Sequence, residues 1–380
     1  MRTMVSRRRA ARPLVALCAL AIAACATTGG LGGPATTGSA GAAGPLNPDG
    51  LAPAPGWRVN TREDVDLWLH GFALLTSDTG RVPFFARNYK QHITAIKRQK
   101  NLLTALDANQ PQLSARFASN PALTNAQFLA MYFPSFQEIV NATNLFIRAQ
   151  GNPRAANDPQ MQQELMLLAN LFPSAADRDW LRLFVQSLQD EDTRFYHAYW
   201  TAEQATRGAG FAQVQSQWQS TWYPKLSRFL NNTQQTNGEL LLSLPLGGEG
   251  RTVNQSKLSN IIAVTYPTTP DSAADALFVF AHEAVQQIVQ EAITDNTTPA
   301  EQRSGATIGY QGNGAVRGGA LLIQRTMPNL LPAYMRFYLA TLGPAAPGGD
   351  TAAAFAAGFP LPVAIETAIG KQIDIVLGGI

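Results

Sequence analysis

From Trp57 onward the apolar and polar positions follow a helical period for most of their length and change to strand-like runs at one place. Thr61-Arg-Glu-Asp64 supplies a cap and a first-turn acid ahead of Val65-Asp-Leu-Trp-Leu-His-Gly-Phe-Ala-Leu-Leu75, which predicts a helix. Pro83 predicts the opening of a second, running through Phe84, Tyr89, Ile93, Ile96 and Leu103 to Leu106. Shorter helices are expected over 111–118 and 124–132, then one over 135–149 that Gly151 ends. Asn157-Asp158-Pro159 starts another, reaching Phe172. Ser174 and Asp177 frame the start of a longer helix through Leu188, and Phe211 to Leu230 forms the last of the set. No repeat of fixed period runs through them.

At Asn237-Gly238 the pattern changes. Glu239 to Leu246 reads as a strand, Gly247-Gly-Glu-Gly250 as a turn, Arg251-Thr-Val253 as a short return strand, and Asn260 to Tyr266 as a better strand stopped by Pro267. A sheet of two to four strands is therefore expected just before a helix over 271–296. Beyond it the glycines of Gly309-Tyr-Gln-Gly-Asn-Gly314 predict a tight loop and close helix packing. An apolar helix over 333–340, an alanine-rich one capped by Asp350 and an amphipathic one over 363–377 follow. The fold class is thus α+β and predominantly helical, with a helical part over 57–235 and an α+β part over 236–380 within one body.

The N-terminus changes the picture of the chain's destination. Arg2, Arg7, Arg8, Arg9 and Arg12 precede an apolar run from Leu14 to Ala24, the order of an export signal, and the run is too short for a permanent spanning helix. Ile22-Ala-Ala-Cys25 resembles the lipobox of bacterial lipoproteins. The resemblance implies removal of residues 1–24, lipid on Cys25, and attachment to a membrane of the cell envelope through lipid alone. Residues 25–56 are mostly Gly, Ala, Thr and Pro, with little apolar surface to bury, and read as a flexible tether.

Charge reads differently once the leader is set aside. Five of the 29 basic residues belong to it, which leaves 24 against 26 acidic ones, so no basic face for nucleic acid is expected. The only other cysteine, Cys18, lies in the removed segment, so the mature chain has no disulfide and no cysteine metal site. Gly312-Asn-Gly314-Ala-Val-Arg317 lacks the third glycine and the later acid of a dinucleotide loop, and no nucleotide is expected.

Candidate chemistry concentrates in Asp271–Asn296. Pro270 and Thr269 open this helix, and Leu277, Ala281, Ala284, Val285, Ile288 and Ala292 share one apolar arc. His282 and Gln286 fall one turn apart at its margin. Val279 and Phe280 close the opposite side around Glu283, so burial is expected to raise that carboxyl unless a cation or several donors compensate. His282-Glu-Ala-Val-Gln286 resembles the His-Glu-x-x-His signature of zincin metallopeptidases, and the strand Asn260–Tyr266 before it resembles their substrate-binding edge strand. The resemblance spans about residues 238–342 and implies zinc on His282 and Gln286, with Glu283 activating a metal-bound water. Ala315–Gln324 holds no carboxylate to act as third ligand, and Glu301 is the nearest downstream one. With a neutral amide at the second ligand position, the protein is expected to be a degenerate metallopeptidase-like lipoprotein whose hydrolase activity is weakened or lost. The alternative is a non-enzymatic lipoprotein that binds a peptide or envelope protein in the groove between sheet and helix, its His-Glu pair serving only as core. His70, His92 and His197 lie on no ligand motif and read as amphipathic or surface histidines. Phe195, Tyr196, Tyr199, Trp200, Trp218, Trp222 and Tyr223 read as helix-packing core, with a ligand-lining wall as the other possibility.

Overall fold

Short polar side chains set many of the helix starts. The computed structural model describes residues 56–76, 82–256, 258–343 and 346–378, so the leader, Cys25 and the tether up to residue 55 lie outside the described residues. Strand β1 (Trp57–Asn60) leads into helix α1 (Glu63–Leu75). Helices α2 (Tyr89–Gln99) and α3 (Ala105–Ser119) follow, the latter opened by a reciprocal cap between Thr104 and Asp107. A 3-10 segment, Pro121–Tyr132, precedes α4 (Phe136–Arg148) and α5 (Pro159–Leu171), which Ser135 and Asp158 cap.

Helices α6 (Ala175–Glu191), α7 (His197–Gln217) and α8 (Tyr223–Asn232) form one uninterrupted helical run. They are joined by single π turns at Asp192–Tyr196 and Trp218–Trp222. Each turn drives two aromatic side chains inward: Phe195 and Tyr196, then Trp218 and Trp222, are all buried. Trp218 meets Phe280 edge to face at a ring separation of 4.6 Å, and Trp57 meets Phe280 at 5.2 Å, so these aromatics are core.

The sheet adds β2 (Gly238–Ser243), β3 (Arg251–Ser256) and β4 (Ser259–Thr265) in the order β1-β2-β4-β3. Strands β1, β2 and β4 run parallel, and β3 returns antiparallel to β4. Buried parallel strands read as near-continuous apolar runs, as Leu240-Leu-Leu242 does. Against β4 lies α9 (Ala273–Ala284), continued by α10 (Gln286–Asp295). Helices α11 (Pro299–Ser304), α12 (Ala306–Thr326), α13 (Leu331–Thr341), α14 (Thr351–Gly358) and α15 (Val363–Val376) complete the chain.

Three local expectations are overturned by tertiary contact, and one strand goes unread. The segment after Pro83 is extended, because Ala86 N–H donates to Pro245 O and Gly247 N–H to Phe84 O; α2 therefore starts only at Tyr89. Strand β1 is too short to be read from four residues, yet it pairs with β2 in register from Trp57 opposite Gly238. The strand before α9 is not an edge: β4 lies between β2 and β3. Gly309–Gly314 is helical within α12, where Gly314 and Gly318 pack close against Val289: a Cβ at 314 would stand 2.7 Å from its Cγ1 and one at 318 3.1 Å from its Cγ2.

Candidate functional site

The sequence places His282 and Glu283 in the last turn of α9, and the fold seals them. Each is 1% exposed. Strand β3 crosses directly over them because residue 250 is glycine: a Cβ there would stand 2.4 Å from Ala263 O and 2.9 Å from Glu283 Cγ. From the other side Gly319 lets the Tyr334 ring reach α9, since a Cβ at 319 would lie 2.3 Å from Tyr334 Oη and 3.2 Å from His282 Cα. Only glycine permits either approach.

Thr252 on β3 reaches the end of α9. Its single hydroxyl hydrogen is shared between the Glu283 main-chain carbonyl at 3.3 Å and Glu283 Oε2 at 3.2 Å. The helix breaks at Val285 and restarts at Gln286, instead of running through 271–296. His282 and Gln286 are thus on different helices.

Glu283 has its needs met from within. Oε2 accepts from Thr252 Oγ1 at 3.2 Å and Oε1 from Gln286 Nε2 at 3.4 Å. His282 Nδ1 stands 3.1 Å from Oε1, at an angle that leaves Nδ1 without an aligned hydrogen bond. Burial raises the Glu283 carboxyl, but the His282 imidazole, the Arg251 guanidinium and the Thr252 hydroxyl outweigh it and hold the group below its ordinary value. The compensation foreseen as an exception is therefore what occurs.

These donors do not fit a zinc ion. Gln286 turns its amide nitrogen to Glu283, and Glu301 accepts from Thr298 N–H and Thr298 Oγ1, both at 2.8 Å, as the cap of α11. Among the described residues no three His, Cys, Asp or Glu side chains converge on one point. A four-coordinate site needs such convergence.

A second buried polar cluster arises where the sequence shows no motif. His70, read as amphipathic or superficial, is wholly buried, whereas His92 and His197 are exposed as expected. His70 Nε2 lies 3.0 Å from Glu191 Oε1 and Nδ1 lies 2.9 Å from Tyr89 Oη. Glu191 Oε2 accepts from Lys97 Nζ at 2.7 Å and from the Thr104 hydroxyl. Lys97 also donates to Asp107 at 2.9 Å and lies 5.1 Å above the Phe195 ring. Burial raises the Glu191 carboxyl, but His70 and the Lys97 ammonium more than reverse this and bring it down to about 2. Burial lowers His70 against the opposing pull of Glu191, and the ring is fixed between Glu191 at Nε2 and Tyr89 at Nδ1.

The available signal for this cluster was Asp66 and His70 inside an otherwise apolar run, since polar residues enclosed by apolar ones require partners. Nothing local pointed to Glu191, which is 121 positions away. A separate open hollow of about 520 Å³ between α4, α5 and α6, lined by Asn141, Asn144, Leu145, Ile147, Arg148, Met161 and Arg182, shares no residue with either cluster. Comparison with known protein families, with curated proteins and with solved structures finds no match to this chain.

Proposed function

We propose that the protein is an exported lipoprotein, held to a membrane of the bacterial envelope by lipid on Cys25, whose body binds or scaffolds an envelope partner. In this reading the metallopeptidase-like helix has lost its hydrolytic chemistry. The observation that carries it is the enclosure of Glu283 by side chains and backbone of the same protein. A general base must reach a water beside the substrate. Here both carboxylate oxygens are engaged by side chains of the same protein, and β3 lies across them. The export part rests on the basic leader, the apolar run and Ile22-Ala-Ala-Cys25. Among the described residues no single helix is long and apolar enough to cross a membrane, although α14 and α15, bent by 110°, pass that test as a pair.

Two measurements test the proposal. The mature protein, extracted in detergent, is expected to carry well under one zinc per chain and to leave casein uncut. One zinc per chain that is lost in His282→Ala, with proteolysis lost in Glu283→Gln, would restore the peptidase. Cys25→Ser is expected to release the protein from membranes, because lipid is the anchor the composition supplies. Retention of that variant in salt-washed membranes counts against the lipoprotein reading.

A further inference from the structure

The hollow of about 520 Å³ beside α4 joins apolar side chains to unengaged cationic ones. Asn141, Leu145 and Arg148 recur at intervals of four and three residues along α4, so they share one helix face, with Asn144 beside them. The other face, with Ile139, Ala142 and Phe146, is buried in the core. Helices α5 and α6 both pack on α4 and contribute Met161, from the first turn of α5, and Arg182. A volume of this size is ordinary for a small-ligand site.

No acid lines this hollow. Neither Arg148 nor Asn144 has an ion pair or a side-chain hydrogen bond among the described residues. Arg148 stands in the last turn of α4, where its charge suits the carbonyl end of the helix but leaves its N–H donors unused. Arg182 meets Asp179 at 3.6 Å, with the two side chains 50% and 74% exposed, a weak pair that leaves the guanidinium open to a better acceptor. A third guanidinium, Arg178, lies one turn before Arg182 and packs against Gly151, just past α4, while donating to Pro173 O. Other acids on these helices are engaged: Glu138 and Glu164 accept from Asn141 and Gln160, and Asp158 and Asp177 cap α5 and α6.

We propose that this hollow binds the C-terminal end of a partner peptide. Arg148 and Arg182 take the terminal carboxylate, Leu145, Ile147 and Met161 take an apolar last side chain, and Asn144 pairs with the adjacent peptide unit. Guanidinium and carboxylate match as planar, two-point partners. The apolar lining favours an acid with an aliphatic body over a bare inorganic anion, and the unbranched thioether of Met161 adapts to aliphatic groups of different shape. A fatty acid carries the same charge, but its long chain needs an enclosed apolar cavity, whereas this hollow is open and has amides and guanidiniums in its walls. Such a site gives a partner-binding lipoprotein, the reading on which it rests, a defined partner chemistry.

Isothermal titration of the mature chain carrying Cys25→Ser, which needs no detergent, tests the site with acetyl-Ala-Ala-Leu as the free acid and as its C-terminal amide. The acid is expected to bind, and the amide to bind at least about tenfold more weakly, the effect of losing a charge-assisted contact. Arg148→Gln and Arg182→Gln should each weaken the acid about tenfold. Both side chains are exposed, so the melting temperature should not change. No heat with the acid at millimolar concentration, equal affinity for acid and amide, or full affinity when Arg148→Gln and Arg182→Gln are combined overturns the proposal. An equal loss in Arg154→Gln, exposed and outside the hollow, would show general charge attraction and overturns it too. So does displacement of the peptide by inorganic phosphate at equal concentration, which marks a bare anion site. Zinc content, casein cleavage and release from membranes do not involve the hollow, so the peptide result stands apart from theirs.

Discussion

Glu191 and Glu283 are both buried carboxylates beside a histidine, yet their surroundings differ in kind. Glu191 faces the Lys97 ammonium at 2.7 Å and is held down to about 2. Glu283 has no such ammonium; it depends on His282, a more distant Arg251 and neutral donors, and is lowered without a direct ion pair. Burial opposes ionisation in both, and the nature of the compensating partner sets how strongly each is held. The comparison assigns the heaviest structural duty to the cluster without a motif. The pair that resembles a catalytic signature is held by a neighbouring histidine, an arginine and neutral donors.

The largest expected effect breaks the Lys97–Glu191 pair. Lys97→Met leaves an uncompensated carboxylate in the core and should destabilise the protein by about 3–5 kcal/mol, read by urea denaturation at pH 7. The sign with pH follows from the lowered folded value: Glu191 contributes stability above its ordinary 4.5 and loses it as pH falls towards about 2. The deficit of Lys97→Met should consequently narrow below pH 4.5, and a deficit constant with pH would contradict the ion-pair account.

Glu283→Gln sharpens the contrast. The amide keeps the shape but gives up the charge that draws in Thr252, Gln286 and His282, so a loss of about 1–2 kcal/mol at neutral pH is expected. The folded carboxyl lies below its ordinary value, so this loss should shrink as the solution is acidified. A raised melting temperature in Glu283→Gln would show the carboxylate to be a burden and would reverse the reading. The smallest effect belongs to His197, whose 2.8 Å contact with Glu63 is at the surface with the imidazole 68% exposed. Exposed pairs add little, and His197→Ala should leave the thermal midpoint unchanged.

Much of the helical framework was legible because its signals are local. Asp158-Pro159, Ser174 with Asp177, and Asp350 satisfy main-chain donors within the next three residues, and the helices start where these caps lie. Gly151 lies one residue further out than expected: α4 is closed by Gln150, which takes the left-handed φ of 54° after the C-cap Ala149, with Gly151 following at 85° and its N–H returning to Phe146 O. His282, Glu283 and Gln286 were legible as neighbours in sequence, but their chemistry was not. Whether a carboxylate is a base, a ligand or a satisfied core group depends on what lies across from it.

Sequence alone determined the predominantly helical α+β class, most of the caps and the presence of an apolar helix carrying His282 and Glu283, because each follows from side chains within one or two turns. Only the tertiary structure decided that the helix breaks at Val285, that β4 is internal, and that His70, Lys97 and Glu191 meet. Those outcomes depend on contacts between residues tens to more than a hundred positions apart. Hydrophobic period and capping chemistry do not encode which distant donor reaches which buried acceptor.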